Sequence, residues 1–411
     1  MGQWFKNNLI FFSVLTVIFI SCFLAIFITP PLHDELLYHA PLAREISPKV
    51  MFSSGSNYSS AYPPLPYLFG KFALRIHPSL ESLRLMNLAI FLVTICVFRL
   101  IAIRISDSPN FLTLLFALNP YLIKASFTYL MYNWGILFAL AGLYTHFFKS
   151  SRFLPLSHLM LGLAVLSQQW LLAVVAAILL YEIMALSREE ISIGVFVNRV
   201  LLKVLFLLPA ALLFWNWSGL VHPNFATHSL HPTFEHLNAV LATLGLALGI
   251  IVATQLRRIV RLHYIPLIFL LPLLWLAIPS HSIMHGPSVM PGITTQLAVK
   301  IAVFSGIPYK ITMFVFIMAG LASLCLLLSR KRQNLQQVLV FALLGFIVAF
   351  TVSSRLAASH IFICLPFAWL ALSDDIKGMG RAKYVLISQF FLLSAVYWIY
   401  IVFFRSKEIM F

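Results

Sequence analysis

Apolar runs of about twenty residues recur along nearly the whole chain, separated by short connections that carry most of its basic residues. A chain built this way must use a bilayer as part of its solvent. Of its 411 residues, 61% are hydrophobic and only 10% charged, with a mean hydropathy of +0.95. Soluble domains are about half apolar and about a quarter charged, and even large ones keep a mostly polar exposed shell. The segment from Leu9 to Thr29 is too long for the apolar core of a signal peptide and lacks a small-residue cleavage site, so we read it as a retained first span.

The spacing predicts an all-α polytopic membrane protein, a single transmembrane domain over 1–411 with about thirteen transmembrane helices. The expected spans are 8–29, 85–104, 110–124, 127–148, 154–167, 170–187, 199–220, 237–254, 264–279, 309–329, 337–353, 356–372 and 384–404, with 110–124 and 154–167 short enough to be broken or tilted. Alternate connections hold Arg99/Arg104, Lys149/Arg152, Arg188/Arg199/Lys203, Arg257/Arg258/Arg261, Arg330/Lys331/Arg332 and Lys377/Arg381/Lys383. Basic residues collect at cytoplasmic loops, so these connections face inward, with the N-terminus inside and the C-terminus outside. The loops 30–84, 221–236 and 279–308 then share the outer face. This asymmetry also accounts for the net charge of +16, which argues for membrane lipids as partners and against nucleic acid. Cys22, Cys96, Cys325 and Cys364 all lie in apolar segments, so neither a disulfide framework nor a Cys metal site is expected. No repeat of fixed period is visible.

The first extracytoplasmic loop, 30–84, is the expected seat of chemistry. After Thr29-Pro-Pro-Leu-His, the stretch from Asp34 to Glu45 places Leu36, Leu37, Ala40 and Ala43 on one helical face, as in an amphipathic helix lying on the membrane interface. In the segment Tyr58 to Lys71, the prolines are expected to stop a helix and the aromatics suit the interface. Asp34 admits two readings. A carboxylate partly desolvated at the end of the first span can accept a proton from an attacking hydroxyl, or it can cap the amphipathic helix. Glu35 points elsewhere and reads as a solvated or metal-facing partner.

The pair Asp34-Glu35 just after the first span, followed by Tyr38, Ala43-Arg44 and Tyr62-Pro63-Pro64-Leu65, resembles the GT-C-type glycosyltransferases, multi-span enzymes that use polyprenyl-phosphate sugars. The protein O-mannosyltransferases and the bacterial lipid A aminoarabinose transferases share this loop pattern. The glucosyltransferase that adds the terminal glucose to lipid-linked oligosaccharide shows a weaker likeness through Tyr38-His39. Its later Arg-Gln-Thr-Asn stretch is echoed only in part by Ser167-Gln168-Gln169-Trp170, where the Arg is missing. The resemblance covers about the first half of the chain. It implies an inverting transfer from a polyprenyl-phosphate-linked sugar to a glycan, lipid or protein hydroxyl, with Asp34 as the base and Glu35 as a supporting carboxylate. Tyr62, Pro63 and Pro64 would belong to the acceptor or sugar site. No cofactor is specified, and a divalent cation beside Asp34 and Glu35 is the one candidate. A bacterial cytoplasmic membrane is the expected location, with the endoplasmic reticulum as the alternative.

A departing phosphate needs cations. The outer-face candidates are Arg44, Lys71, Lys124, Lys300, Lys310 and Arg355, and Arg355 stands out because its connection is very short. His360 follows it by five positions, and Tyr38 and His39 complete the expected substrate-binding set together with the amides of Gln168 and Gln169. Each has a plainer reading, as a snorkelling or lipid-facing cation or as a polar turn. His281 and His285 stand at ligand spacing but lack a nearby acid. Asn57-Tyr-Ser59 and Asn216-Trp-Ser218 match the glycosylation pattern, which is frequent by chance. Two rival functions remain at this point. A transporter or flippase would couple protons through Asp34 or Glu182. A pyrophosphate-linked glycan ligase or polymerase would not be expected to carry an Asp-Glu pair in this position.

Overall fold

The computed structural model describes residues 2–52, 58, 60–225, 234–260, 271–278, 289–290, 293–329, 332–352 and 356–404. Within them the chain is an all-α, multi-pass membrane protein. The described strands are two-residue segments, Val289–Met290 and Leu356–Ala357, paired in parallel. Eight described helices are long and apolar enough to cross a membrane: Asn8–Ile28, Leu80–Ile105, Gln169–Ser187, Ile193–Asn216, Phe234–Gln255, Tyr309–Leu328, Asn334–Thr351 and Ala382–Phe404. Three shorter apolar helices join them, Ser151–Ser167, Ile293–Ser305 and His360–Ala371. Large apolar side chains such as Leu9, Phe12, Val17, Leu205 and Trp215 point outward, a surface that only lipid can cover.

The chain gathers into two compact units, Met1–Ala226 with Ile387–Phe411, and Thr227–Leu386. The first unit begins with α1 (Gly2–Ile28) and contains the loop helices α2 (Ala40–Glu45), α3 (Pro48–Phe52) and α4 (Leu65–Ile76). It continues with α5 (Leu80–Ile105), α6 (Pro109–Ala117), α7 (Pro120–Phe127), α8 (Tyr132–Phe148), α9 (Leu154–Ser167), α10 (Leu172–Ser187) and α11 (Ile193–Asn216). Local chemistry fixes several ends. Ser79 caps α5 by accepting from Ser82 N at 3.3 Å, with Glu81 in the first turn and Arg104 in the last, both matching the helix dipole.

The expected span 110–124 is broken at Leu118-Asn119-Pro120. The Asn119 side chain accepts from Tyr121 N and Leu122 N, starting α7 where α6 has stopped. All eight residues of α7 are buried, so this half-helix packs inside protein rather than facing lipid, as non-continuous helix at membrane depth must. Two expectations are corrected. The prolines of the first loop do not prevent a helix, because α4 starts at Leu65 with Pro66 in its first turn, where a missing N–H costs no bond. The segment 279–308, read as an outer loop, contains the apolar helix Ile293–Ser305. Of the expected span 264–279, residues 264–270 and 279 lie outside the described residues, and Leu271–Leu276 is helical.

In the second unit α12 (Phe234–Val260) packs along Tyr309–Leu328 at glycine contacts. A Cβ on Gly245 would stand 1.8 Å from the Phe316 carbonyl oxygen, and one on Gly320 1.9 Å from that of Leu241. Small residues that let backbones touch are a general device of helix association in lipid. At one end of this unit Arg332 donates to Leu326 O at 3.2 Å, Leu327 O at 3.0 Å and Asp375 Oδ2 at 3.5 Å, using up carbonyls at the end of Tyr309–Leu328. Substituting Val for Gly320 should overpack this contact and destabilise by about 1–3 kcal/mol or more, read as a lowered unfolding temperature in detergent. An unchanged temperature would show that the two helices are not in backbone contact.

Candidate functional site

The first loop is organised by one carboxylate. Glu35 is fully buried and accepts four hydrogen bonds: from Leu32 N at 2.8 Å, Arg84 Nε at 2.9 Å, Arg84 Nη2 at 2.7 Å and Tyr129 N at 2.6 Å. Arg84, 2% exposed in the first turns of α5, also donates to Ile26 O, Thr29 O and Pro30 O at 2.9, 2.8 and 3.2 Å. Its five donors are thereby used, on one open carbonyl in the last turn of α1 and two just beyond it. The expectation of a solvated or metal-facing Glu35 is corrected, since both its oxygens are committed to the chain. Among the described residues no three His, Cys, Asp or Glu side chains group as a metal site.

The helix after this clamp opens with a π turn, Glu35–His39, and continues as α2. Such turns are rare and recur at functional sites. The inserted residue also changes which side chains share a face. Leu36, Leu37 and Tyr38 point outward, while Ala40 and Ala43 pack against the protein, so the single apolar face expected for this helix is split. Asp34 precedes the turn in helical geometry (φ −64°, ψ −33°) and its side chain makes no capping bond. Asp34 is half-buried and forms no hydrogen bond or ion pair with the described residues, beside a neighbouring residue whose carboxylate is bonded four times.

Behind Asp34 lies a buried polar chain. His39 Nδ1 is 2.8 Å from Tyr67 OH, which is 2.6 Å from Ser60 Oγ, which accepts from Tyr62 N at 3.0 Å. One direction uses each hydrogen once: Ser60 donates to Tyr67, and Tyr67 donates to His39. Burial lowers the His39 pKa to about 4, with the nearby Lys124 charge acting the same way and Asp34 and Glu35 opposing it. The imidazole is therefore neutral at pH 7. Burial likewise raises the Tyr67 phenol well above its ordinary range, which keeps it a donor. Tyr62 is half-buried, with its ring 6.2 Å from His39 and edge-on to Tyr132 at 6.1 Å.

The remaining candidates of this unit are placed as follows. Pro63 and Pro64 are buried, and Pro64 O starts α4 by accepting from Tyr67 N and Leu68 N. Lys71 donates to Ile46 O at 2.6 Å and so ties α4 to the end of α2. Arg44 and Tyr38 are exposed, with the Tyr38 ring edge-on to His33 at 6.0 Å. Gln169 is buried and donates to Ala61 O at 3.0 Å, joining the α9–α10 turn to the first loop, and Gln168 is buried against Gly135. Lys124 is 7% exposed on α7. Asn216 of the second glycosylation match donates to Phe52 O. Lys300, Lys310 and His360 belong to the second unit, where the lysines are exposed and His360 stacks on Phe350 at 5.9 Å. Arg355, Asn57, His281 and His285 lie outside the described residues.

Arg84, Tyr129, Ser60 and Tyr67 were not singled out from the sequence. A signal existed for Arg84, because an arginine inside the first turns of a long apolar helix needs a partner. The other three are ordinary residue types: Tyr129 meets Glu35 94 positions away and Tyr67 meets His39 28 away, while Ser60 bonds nearby Tyr62 and Tyr67. Gly70 permits the Tyr129 approach, since a Cβ there would stand 2.0 Å from the Tyr129 hydroxyl.

No protein-family model matches the chain, and no curated protein does. Two solved structures are similar: ArnT from Cupriavidus metallidurans bound to undecaprenyl phosphate, and the same protein in the apo state. Each alignment covers 92% of this chain and 78% of the other, at 16% identity and a TM-score of 0.40.

Removing one partner of the buried pair strands the other. Arg84→Ala is expected to destabilise by about 3–5 kcal/mol, measured by thermal or denaturant unfolding in detergent, whereas the exposed Arg44→Ala should be near neutral. His39 generates a pH effect. Its imidazole titrates at about 4 when folded and 6.5 when unfolded, so the unfolded chain binds more protons between these values. Its contribution is full above pH 6.5 and is lost as the pH falls towards 4. His39→Gln should flatten that part of the unfolding profile, and an identical profile would contradict the neutral, buried imidazole.

Proposed function

We propose that this protein is a membrane glycosyltransferase of the GT-C type that moves a sugar from a polyprenyl-phosphate donor to a hydroxyl acceptor. The reading rests on the loop resemblance and on one observation. Asp34 is half-buried and unbonded among the described residues, while its neighbour Glu35 is locked to Arg84, so the backbone beneath Asp34 is held still. A base needs this combination of fixed position and free lone pairs.

In the proposed reaction Asp34 takes the proton of the acceptor hydroxyl as that oxygen bonds to the anomeric carbon. The bond from that carbon to the phosphate oxygen breaks, and the lipid phosphate leaves with the electron pair. Attack from the side opposite the phosphate inverts the anomeric centre. Neutral His39, hydrogen-bonded to Tyr67, supplies a polar wall without a competing charge. Tyr62 offers a ring face for a sugar or an acceptor. Lys124, whose charge bears on His39, is the cation of this unit proposed to stabilise the departing phosphate. The sugar, the acceptor and a location in the bacterial cytoplasmic membrane are part of the proposal.

Asp34→Asn tests it directly. Membranes carrying the variant, incubated with radiolabelled polyprenyl-phosphate sugars, should transfer at least about a hundredfold less sugar, at an unchanged unfolding temperature. An active Asp34→Asn protein sinks the assignment of the base. Uptake of labelled lipid-linked sugar into proteoliposomes without a new glycosidic bond would instead favour a flippase.

A further inference from the structure

A second buried ionic cluster lies in the first unit, among α8, α9, α10 and α11, on the face that the basic connections mark as cytoplasmic. Glu182 of α10 is fully buried, so it does not snorkel to the interface. Its Oε2 accepts from Lys203 of α11, itself 5% exposed. Its Oε1 lies 3.8 Å from Arg199 Nη1 of α11 and 3.7 Å from His146 Nε2 of α8. His158 of α9 packs its ring 5.9 Å from that of His146 and is 1% exposed. Tyr181 stands next to Glu182 on α10. Arg188, further along, is offset by Glu190 at 3.9 Å, and both are exposed.

Two properties of this cluster are unbalanced. The first is charge. Lys203 and Arg199, whose side chain is 22% exposed, stand against one carboxylate and leave a surplus positive charge even with both imidazoles neutral, a charge that favours an anion at this edge of the helices. The second is hydrogen bonding. His146 Nδ1, both ring nitrogens of His158, Arg199 Nε and Glu182 Oε1 are buried and have no hydrogen-bond partner among the described residues. Buried polar atoms are rarely left so, and several together point to a ligand. Water could take up the hydrogen bonds but would leave the charge.

We propose that this cluster binds one phosphate group, either as inorganic phosphate or as the headgroup of a lipid in the inner leaflet. Its oxygens accept from Arg199 Nε–H and from one N–H on each imidazole. This cancels the surplus charge and fits the guanidinium's preference for oxyanions. The second nitrogen of His158 is an acceptor, so the ligand carries a hydroxyl, as dihydrogen phosphate or a glycerol headgroup does. Exposed Lys149 and Arg152 at the α8–α9 connection add positive potential at the approach. The site shares no residue with the Asp34 loop and does not depend on the reaction assigned there.

The test uses the full chain. Purified in a phosphate-free zwitterionic detergent, it is titrated with inorganic phosphate by calorimetry, and its unfolding temperature is compared in phosphate and in chloride at equal ionic strength. In parallel it is placed in phosphatidylcholine nanodiscs with and without phosphatidylglycerol, and retained lipid is weighed by native mass spectrometry. Saturable binding of one phosphate with a raised unfolding temperature identifies the free ion. Selective retention of one phosphatidylglycerol without phosphate binding identifies the headgroup. In either case Arg199→Gln and His158→Gln should weaken binding at least about tenfold, and exposed Arg188→Gln should leave it unchanged. If Arg199→Gln does not fold, Arg199→Lys, which keeps the charge and loses the Nε–H, should show the same weakening. If neither phosphate nor phosphatidylglycerol binds, or if binding is indifferent to Arg199 and His158, the proposal is wrong.

Discussion

The Glu35–Arg84 pair is the interaction on which the first unit depends. A carboxylate and a guanidinium removed from water are costly, and their attraction offsets that cost only when every remaining donor and acceptor is bonded. Here they are. The carboxylate also holds Leu32 N and Tyr129 N, and the guanidinium holds the Ile26 carbonyl of α1 and those of Thr29 and Pro30 at the start of the loop. One contact therefore pins four separate pieces of chain: the end of α1, the start of the loop helix, the first turns of α5 and the entry to α8. The nearby Asn87 side chain extends this anchoring by donating to Ala125 O, Thr128 O and Leu130 O and accepting from Trp134 Nε1 at 2.8 Å.

The consequence for the proposed chemistry lies one residue away. Two adjacent carboxylates have opposite environments, one saturated and enclosed, the other half-open and unbonded among the described residues. The π turn makes this division possible, because it turns Glu35 and His39 inward while Leu36, Leu37 and Tyr38 face out. His39 then joins Tyr67 and Ser60 in a satisfied chain, so the wall behind Asp34 is polar but uncharged at neutral pH. The cluster around Glu182 obeys the opposite rule, with its carboxylate shared among cations and several atoms left unpaired among the described residues. In one unit, a completed network serves as scaffold and an incomplete one as a candidate binding site.

Composition and hydrophobic period, both properties of the sequence by itself, determined the fold class. Hydrophobic runs of span length require a membrane and an all-helical fold, because hydrocarbon leaves the backbone no other partner. The basic connections bear on orientation, the shortness of 110–124 already allowed for its break, and an Asp-Glu pair beside the first span drew attention to the first loop. Only the tertiary structure decided which of the two acids is tied down. That choice rests on Arg84, 49 positions away along the chain, and on Tyr129, 94 away, and no local pattern encodes such partners. The prolines of 63–66 were misread for a related reason, since a helix start depends on which N–H groups already lack partners. Tertiary contact likewise turned half-buried Lys71 and buried Gln169 into ties between elements. A residue type specifies what a side chain can bond, and the fold specifies what it meets.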